Sequence, residues 1–263
     1  MFIVTMRWLG VLLLLLGISW RNLGTEWPII RKRPAYVIAM GATGFTGFNT
    51  LFYVAAHSTT AINIGILQGS MPVFVLLAVY FLYRSRATIT QIIGVITTLL
   101  GVFVVATQGT WSRLAEFDFT TGDLLMIIAC ILYGGYAAGL KQRPAVSTLS
   151  FLTVLAGVAF LTSLPFLVGE ILTGYFLVPT RMGWILILLI TLLPSFLGQI
   201  FFMRGVAIIG PDRAGVFVNL VPVFAALFAV WFLAESFYFY HGVALFLVLA
   251  GIAISERGKR PVR

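Results

Sequence analysis

Long runs of apolar residues, separated by short polar, glycine- or proline-bearing breaks, fill most of the chain. Stretches such as Val11 to Leu16 and Ile185 to Ile190 are apolar at every position. A bilayer core of about 30 Å takes about 20 helical residues at roughly 1.5 Å each. On that scale the pattern predicts nine spans, over 2–20, 35–56, 60–82, 88–107, 122–140, 147–168, 183–203, 214–234 and 238–255. They use 185 of the 263 residues, and the longest connection between them is 14 residues, so no extramembrane domain fits there. Membrane β-strands alternate apolar and polar positions, which these runs do not. The expected fold class is therefore all-α and polytopic. The breaks agree: Arg31-Lys32-Arg33-Pro34 precedes the second span, Gly210-Pro211 the eighth, and Thr121-Gly122-Asp123 opens the fifth, where Asp123 suits the positive end of a helix dipole.

Composition sharpens this picture. Hydrophobic residues make up 60% and charged residues 10% of the chain, against roughly 25% charged for a soluble domain. That balance excludes a soluble enzyme, a disordered chain and a nucleic-acid-binding module. One cysteine, Cys130, allows neither a disulfide framework nor a cysteine-ligated metal. The net charge of +9 is explained by position. Because connections alternate sides, 14 of the Lys and Arg residues fall on one side and only Arg7, Arg113 and Arg181 on the other. By the positive-inside rule the carboxyl terminus, with its basic tail 256–263, is expected in the cytoplasm. The first segment reads as a span and not as a cleaved signal peptide, since its stronger basic cluster follows the apolar run and no small-x-small site is present.

Sliding the sequence by 150 residues reveals an internal repeat. Phe52 meets Phe202, Gly65 meets Gly215, Pro72-Val73-Phe74 meets Pro222-Val223-Phe224, and Gly101 meets Gly251, with eight identities over positions 52–101. Spans 35–56, 60–82 and 88–107 overlay later spans under the same shift. Matching spans lie five apart, so the two copies have opposite orientation, a recurring plan among secondary transporters. The expected division is a first repeat over 1–107 and a second over 122–255.

The stretch from Gly65 to Pro72-Val73-Phe74, followed by Gln91-Ile92-Ile93-Gly94 and Leu100-Gly101-Val102, resembles an EamA-type repeat of the drug/metabolite transporter superfamily. Gly215 to Pro222-Val223-Phe224, Ala234-Glu235 and Leu249-Ala250-Gly251-Ile252 resemble the second copy. The resemblance implies ten helices in two inverted five-helix halves around a central cavity. It also implies export or exchange of amino acids, other metabolites or toxic compounds, usually across a bacterial inner membrane. Arg84-Ser85-Arg86 departs from the Gly-Glu often found there, and nine spans stand where the plan has ten. Under the 150-residue shift only span 122–140 lacks a partner, which would lie upstream of Met1. The chain as written is expected to lack the first helix of the plan, through a start codon further upstream or a genuine shortening.

Polar residues within spans need a reason. Asn49 and Gln199 are equivalent under the shift, and Gln68 and Asn219 nearly so. These amides either line a pathway for a polar solute or tie helices together. Pro72 and Pro222 each free a carbonyl four residues back, and matched breaks in two halves point to a transport path. Arg7, the basic residue well inside a span, either snorkels to the interface or meets a carboxylate solute. No acidic residue lies near the middle of a span, and no catalytic, metal-binding or ATP-binding motif is present. No cofactor, metal or nucleic-acid partner is expected. The expected function is export of a small metabolite, such as an amino acid, by a secondary carrier in the lipid bilayer; a homodimer is compatible with this. The competing reading is a membrane enzyme or a non-transporting partner subunit on the same framework.

Overall fold

A computed structural model describes residues 1–110, 120–232 and 236–257. The described residues are almost entirely helical and contain no strand. Nine helical stretches follow in chain order: α1 (Phe2–Ile30), α2 (Pro34–Ala55), α3 (Asn63–Tyr83), α4 (Ile89–Ala106), α5 (Thr121–Gln142), α6 (Thr148–Leu172), α7 (Arg181–Ile209), α8 (Pro211–Val216 and Leu220–Phe232, joined by the tight turn Phe217–Asn219) and α9 (Phe239–Arg257). Among the described residues, α1 to α7 are long and apolar enough to cross a membrane, and α9 carries a shorter apolar stretch, Phe239–Ser255. The protein is a polytopic all-α membrane protein. Arg113, Ala234, Glu235 and the tail from 258 onward lie outside the described residues.

Local signals fix the helix starts. Pro34 sits at the first position of α2, where its missing N–H costs nothing. The Thr88 side chain accepts from Gln91 N while Thr88 N donates to Gln91 Oε1, a reciprocal cap on α4. Ser147 and Thr180 cap α6 and α7 in the same way from one side. The first helix differs from expectation: it runs ten residues beyond position 20, to Ile30. The reason is at its far end, where Glu26 accepts hydrogen bonds from Ser147 N and Ser147 Oγ, both at 2.8 Å, and so holds the extension to the start of α6. What reads as a 14-residue polar connection is therefore mostly helix, with only Arg31 to Arg33 between α1 and α2.

The chain divides into two compact units, Met1–Tyr53 with Gly139–Ile208 and Val54–Ala138 with Ile209–Arg263. The first holds α1, most of α2, α6 and most of α7. Val4, Trp8, Val11 and Leu15 form one fully buried stripe on α1, at helical spacing. Phe151, Leu152, Leu155, Ala156 and Ala159 of α6 are equally buried, and α1 and α6 pack along their lengths. Two close approaches tighten this unit: a Cβ on Gly41 would stand 2.8 Å from the Val158 side chain, and one on Gly10 would stand 2.9 Å from Thr191.

The second unit is built on α4 and α9, which touch backbone to backbone. A Cβ on Gly94 would lie 2.6 Å from the Gly251 carbonyl oxygen, and one on Gly101 would lie 2.9 Å from the Ala244 carbonyl oxygen. Small residues let the helix axes approach this far. Val95, Val216, Val223, Val248 and Ile252 make a dry core beside the crossing. Gly134 of α5 similarly admits the backbone of Phe74 on α3, so the small residues of α5 serve packing there.

Candidate functional site

Two helices of the first unit are interrupted by π-helical turns, Ala42–Gly47 within α2 and Thr191–Leu197 within α7. Single π turns inside α-helices are rare and cluster at functional sites. Their positions are related by the 150-residue shift to within one residue. Pro194 lies inside the second turn and cannot donate to the Ile190 carbonyl. The Ser195 hydroxyl donates to that carbonyl instead, at 2.6 Å. After the first turn, the Asn49 side-chain amide donates to the Phe45 carbonyl in a comparable way.

Both groups turn their acceptor to the same cation. Arg7 on α1 donates from Nη1 to Asn49 Oδ1 at 2.8 Å and from Nε to Ser195 Oγ. Its side chain is 9% exposed. The guanidinium carbon sits 5.3 Å from the Trp8 ring centre, and Trp8 stacks on Phe45 at 4.1 Å with the planes 7° apart. Tyr53 also interacts with the guanidinium. A neutral hydrogen bond to a charged group is worth about 1.5–3 kcal/mol. Asn49 and Ser195 thus orient the cation without neutralising it.

The direction of the side chain bears on the snorkelling reading of Arg7. Phe2 meets Trp184 ring edge to face at 5.7 Å, which puts the starts of α1 and α7 at one level. Arg7 is five residues beyond Phe2, about 7.5 Å along the axis, and Ser195 is eleven beyond Trp184, about 16 Å. The guanidinium therefore reaches deeper into the unit and does not snorkel back to the end that holds Met1.

The remaining sequence-predicted residues are placed as follows. Gln199 is half-buried on α7, one turn past Ser195, and is held by interactions of its own. Gln68, Pro72, Asn219 and Pro222 belong to the second unit. Its α3 is broken at Ser70, with Pro72 buried at the second position of the segment that follows. The Phe217–Asn219 turn interrupts α8 just ahead of half-buried Pro222, and it packs against α3 on both sides of the Ser70 break. Asn219 is fully buried and donates from Nδ2 to Thr98 Oγ1 at 2.8 Å. The structure thus joins Arg7 to Asn49 directly, and sequence reasoning missed Ser195 as the third member. Its signal was a proline, Pro194, inside an apolar run. Elsewhere in the second unit an apolar cavity of about 820 Å³ lies along α4 and α9, lined by Ile96, Leu100, Phe103, Phe239 and Val243 among others. None of the predicted site residues faces it.

Known proteins share both the sequence pattern and the helical arrangement. Over 203 residues the chain is 26% identical to the uncharacterized transporter YyaM of Bacillus subtilis (strain 168), covering 74% of this chain and 64% of YyaM. To the uncharacterized transporter YetK of the same organism it is 26% identical over 235 residues, covering 89% of this chain and 71% of YetK. The chain thus spans just under two thirds of YyaM. A solved crystal structure superposes with a TM-score of 0.79 at 17% identity, over 96% of this chain and 86% of the other, and so shares the fold. The EamA-like transporter family model matches residues 1–107 and 120–256. Since that match takes in both π-turn helices and nearly every other described helix, the chain belongs to the EamA-like transporter family.

Proposed function

We propose that this membrane transporter is a secondary carrier that exports a small metabolite, an amino acid or related amphipathic compound, by alternating access. The observation that carries the reading is the pair of π turns at equivalent positions of α2 and α7. In this reading 1–107 and 122–255 are inverted copies of one unit, and carriers of that kind bind their solutes where matched helices break near mid-membrane. The broken α3 and α8, with Gln68, Pro72, Asn219 and Pro222, add a second matched pair. Arg7, Asn49 and Gln199 are the polar pathway groups of the first unit. The basic connections lie in the cytoplasm and the protein sits in a bacterial inner membrane, as the 14-to-3 distribution supports.

Flux is the test. Inside-out vesicles from overexpressing cells should accumulate at least one labelled amino acid or related metabolite faster than vesicles lacking the protein. Equal rates across a broad panel would defeat the carrier reading in favour of a partner subunit or scaffold.

A further inference from the structure

The first unit contains only two carboxylates, Glu26 and Glu170. Each is committed away from Arg7. Glu26 takes the Ser147 donors, and Glu170 takes the amino terminus and the Phe2 N–H. Arg7 is therefore a buried cation whose described partners are neutral. Arginine keeps its proton under such conditions, and an uncompensated buried charge is strongly unfavourable. Of its five N–H donors, hydrogen bonds to Ser195 from Nε and to Asn49 from Nη1 use two, Tyr53 is a third hydrogen-bond partner, and two donors remain.

We infer that Arg7 is the anchor of an anion site and that its counter-ion is the carboxylate of the transported solute. The inference rests on the carrier reading for what the site is used for, and on the geometry above for its chemistry. The guanidinium fork matches a carboxylate in two-point contact, which neither an amide nor an alcohol can reproduce. Asn49 and Ser195 are positioning residues. Ser195 is tied to Ile190 across its π turn and Asn49 to Phe45 at the end of the other, so the fork is held in place before the solute arrives. Under the 150-residue shift the counterpart of Arg7 is Gly157, so the repeat supplies a single cation and the site takes a single negative charge.

The experiment is thermal unfolding of the purified full chain in detergent. The probes are acetate, 4-methylpentanoate, phenylacetate, L-leucine and L-glutamate, each paired with its primary amide. At least one carboxylate should raise the unfolding temperature while its amide does not. In Arg7→Gln that shift should require at least tenfold more ligand, and the ligand-free variant should unfold at the wild-type temperature or above it, because a buried charge has been removed. A purely structural Arg7 would instead lower the ligand-free temperature. Arg7→Lys, which keeps the charge and loses the fork, should bind more weakly than wild type and more tightly than Arg7→Gln. The inference is overturned if acids and amides act alike, if Arg7→Gln keeps the wild-type ligand response, or if no carboxylate shifts the wild type at tens of millimolar. Vesicle flux separates the two readings. Transport of neutral solutes alone, without a carboxylate shift, leaves the carrier standing and removes the anion site. An Arg7-dependent shift without flux does the reverse.

Discussion

The two compact units draw on the same kinds of helix and put them to opposite uses. In the second unit, α4 and α9 meet through Gly94, Gly101 and Gly251, backbone against backbone, beside a core of valine and isoleucine. In the first unit α2 and α7 each give up regular hydrogen bonding for one turn, and the polar groups released there surround a buried arginine. Close packing leaves no room for rearrangement, because each contact is already at its limit. The π turns instead bring Asn49 and Ser195 to Arg7, the cation that a solute meets in the proposed function. In the proposed function, rigidity and chemistry are thus housed separately.

The strongest way to break this comparison is to add bulk at the glycine crossing. Gly94→Val should destabilise the protein by roughly 3 kcal/mol, because its side chain meets a backbone carbonyl that cannot move aside. Folded yield in detergent and the unfolding temperature report it, and wild-type values for both would mean that the crossing has slack. Next in size is the loss of a guanidinium partner. Asn49→Ala should lower flux per folded molecule about tenfold, for a charged hydrogen bond of about 1.5–3 kcal/mol, with little change in yield. Proportional losses of yield and flux would reassign Asn49 to helix packing. Gln199→Ala, at the equivalent position, should show the same imbalance to a smaller extent.

Pro194→Ala is gentler. It restores a backbone N–H that competes with the Ser195 hydroxyl for the Ile190 carbonyl and so loosens Ser195 from Arg7. Flux should fall several-fold while the unfolding temperature holds or rises, since a proline inside a helix costs stability. A parallel fall in both would show that Pro194 is needed for folding. The smallest effect belongs to Thr46→Val. Thr46 Oγ1 shares a 2.7 Å hydrogen bond with Thr162 and reaches the Ala159 carbonyl at 3.0 Å, tying α2 to α6. Such interhelical bonds average about 0.6 kcal/mol, so unfolding should shift slightly and flux per folded molecule should stay the same.

Much of the fold could be read from the chain because twenty apolar residues in a row admit few alternatives in a membrane. The extension of α1 was not legible, since Glu26 is indistinguishable from an ordinary loop acid until Ser147 is seen beside it, 121 residues away. The site was half legible. Asn49 and Gln199 stand out as amides in apolar runs, and Arg7 as a lone charge. Ser195 does not, because a serine in a membrane helix is common and its importance depends on a π turn. Hydropathy has no term for whether a carbonyl is reached from four or five residues on. The meeting of Arg7 with Ser195, 188 residues apart, depends on helix pairing that no local pattern encodes.

Each π turn stores one more residue than a regular helix would use over the same stretch, because its bonds skip five residues instead of four. Removing a residue from a membrane helix ordinarily rotates everything beyond it by about 100° and turns buried faces to lipid, at 3.6 residues per turn. In α2 and α7 the surplus is already present. Deleting Leu192, for example, would bring Thr191–Leu197 to a regular α-helical count and leave the residues on either side facing as they do now. These two helices are places where the chain can be shortened without being scrambled, and where a lineage gains or loses the proposed anion site by a single codon.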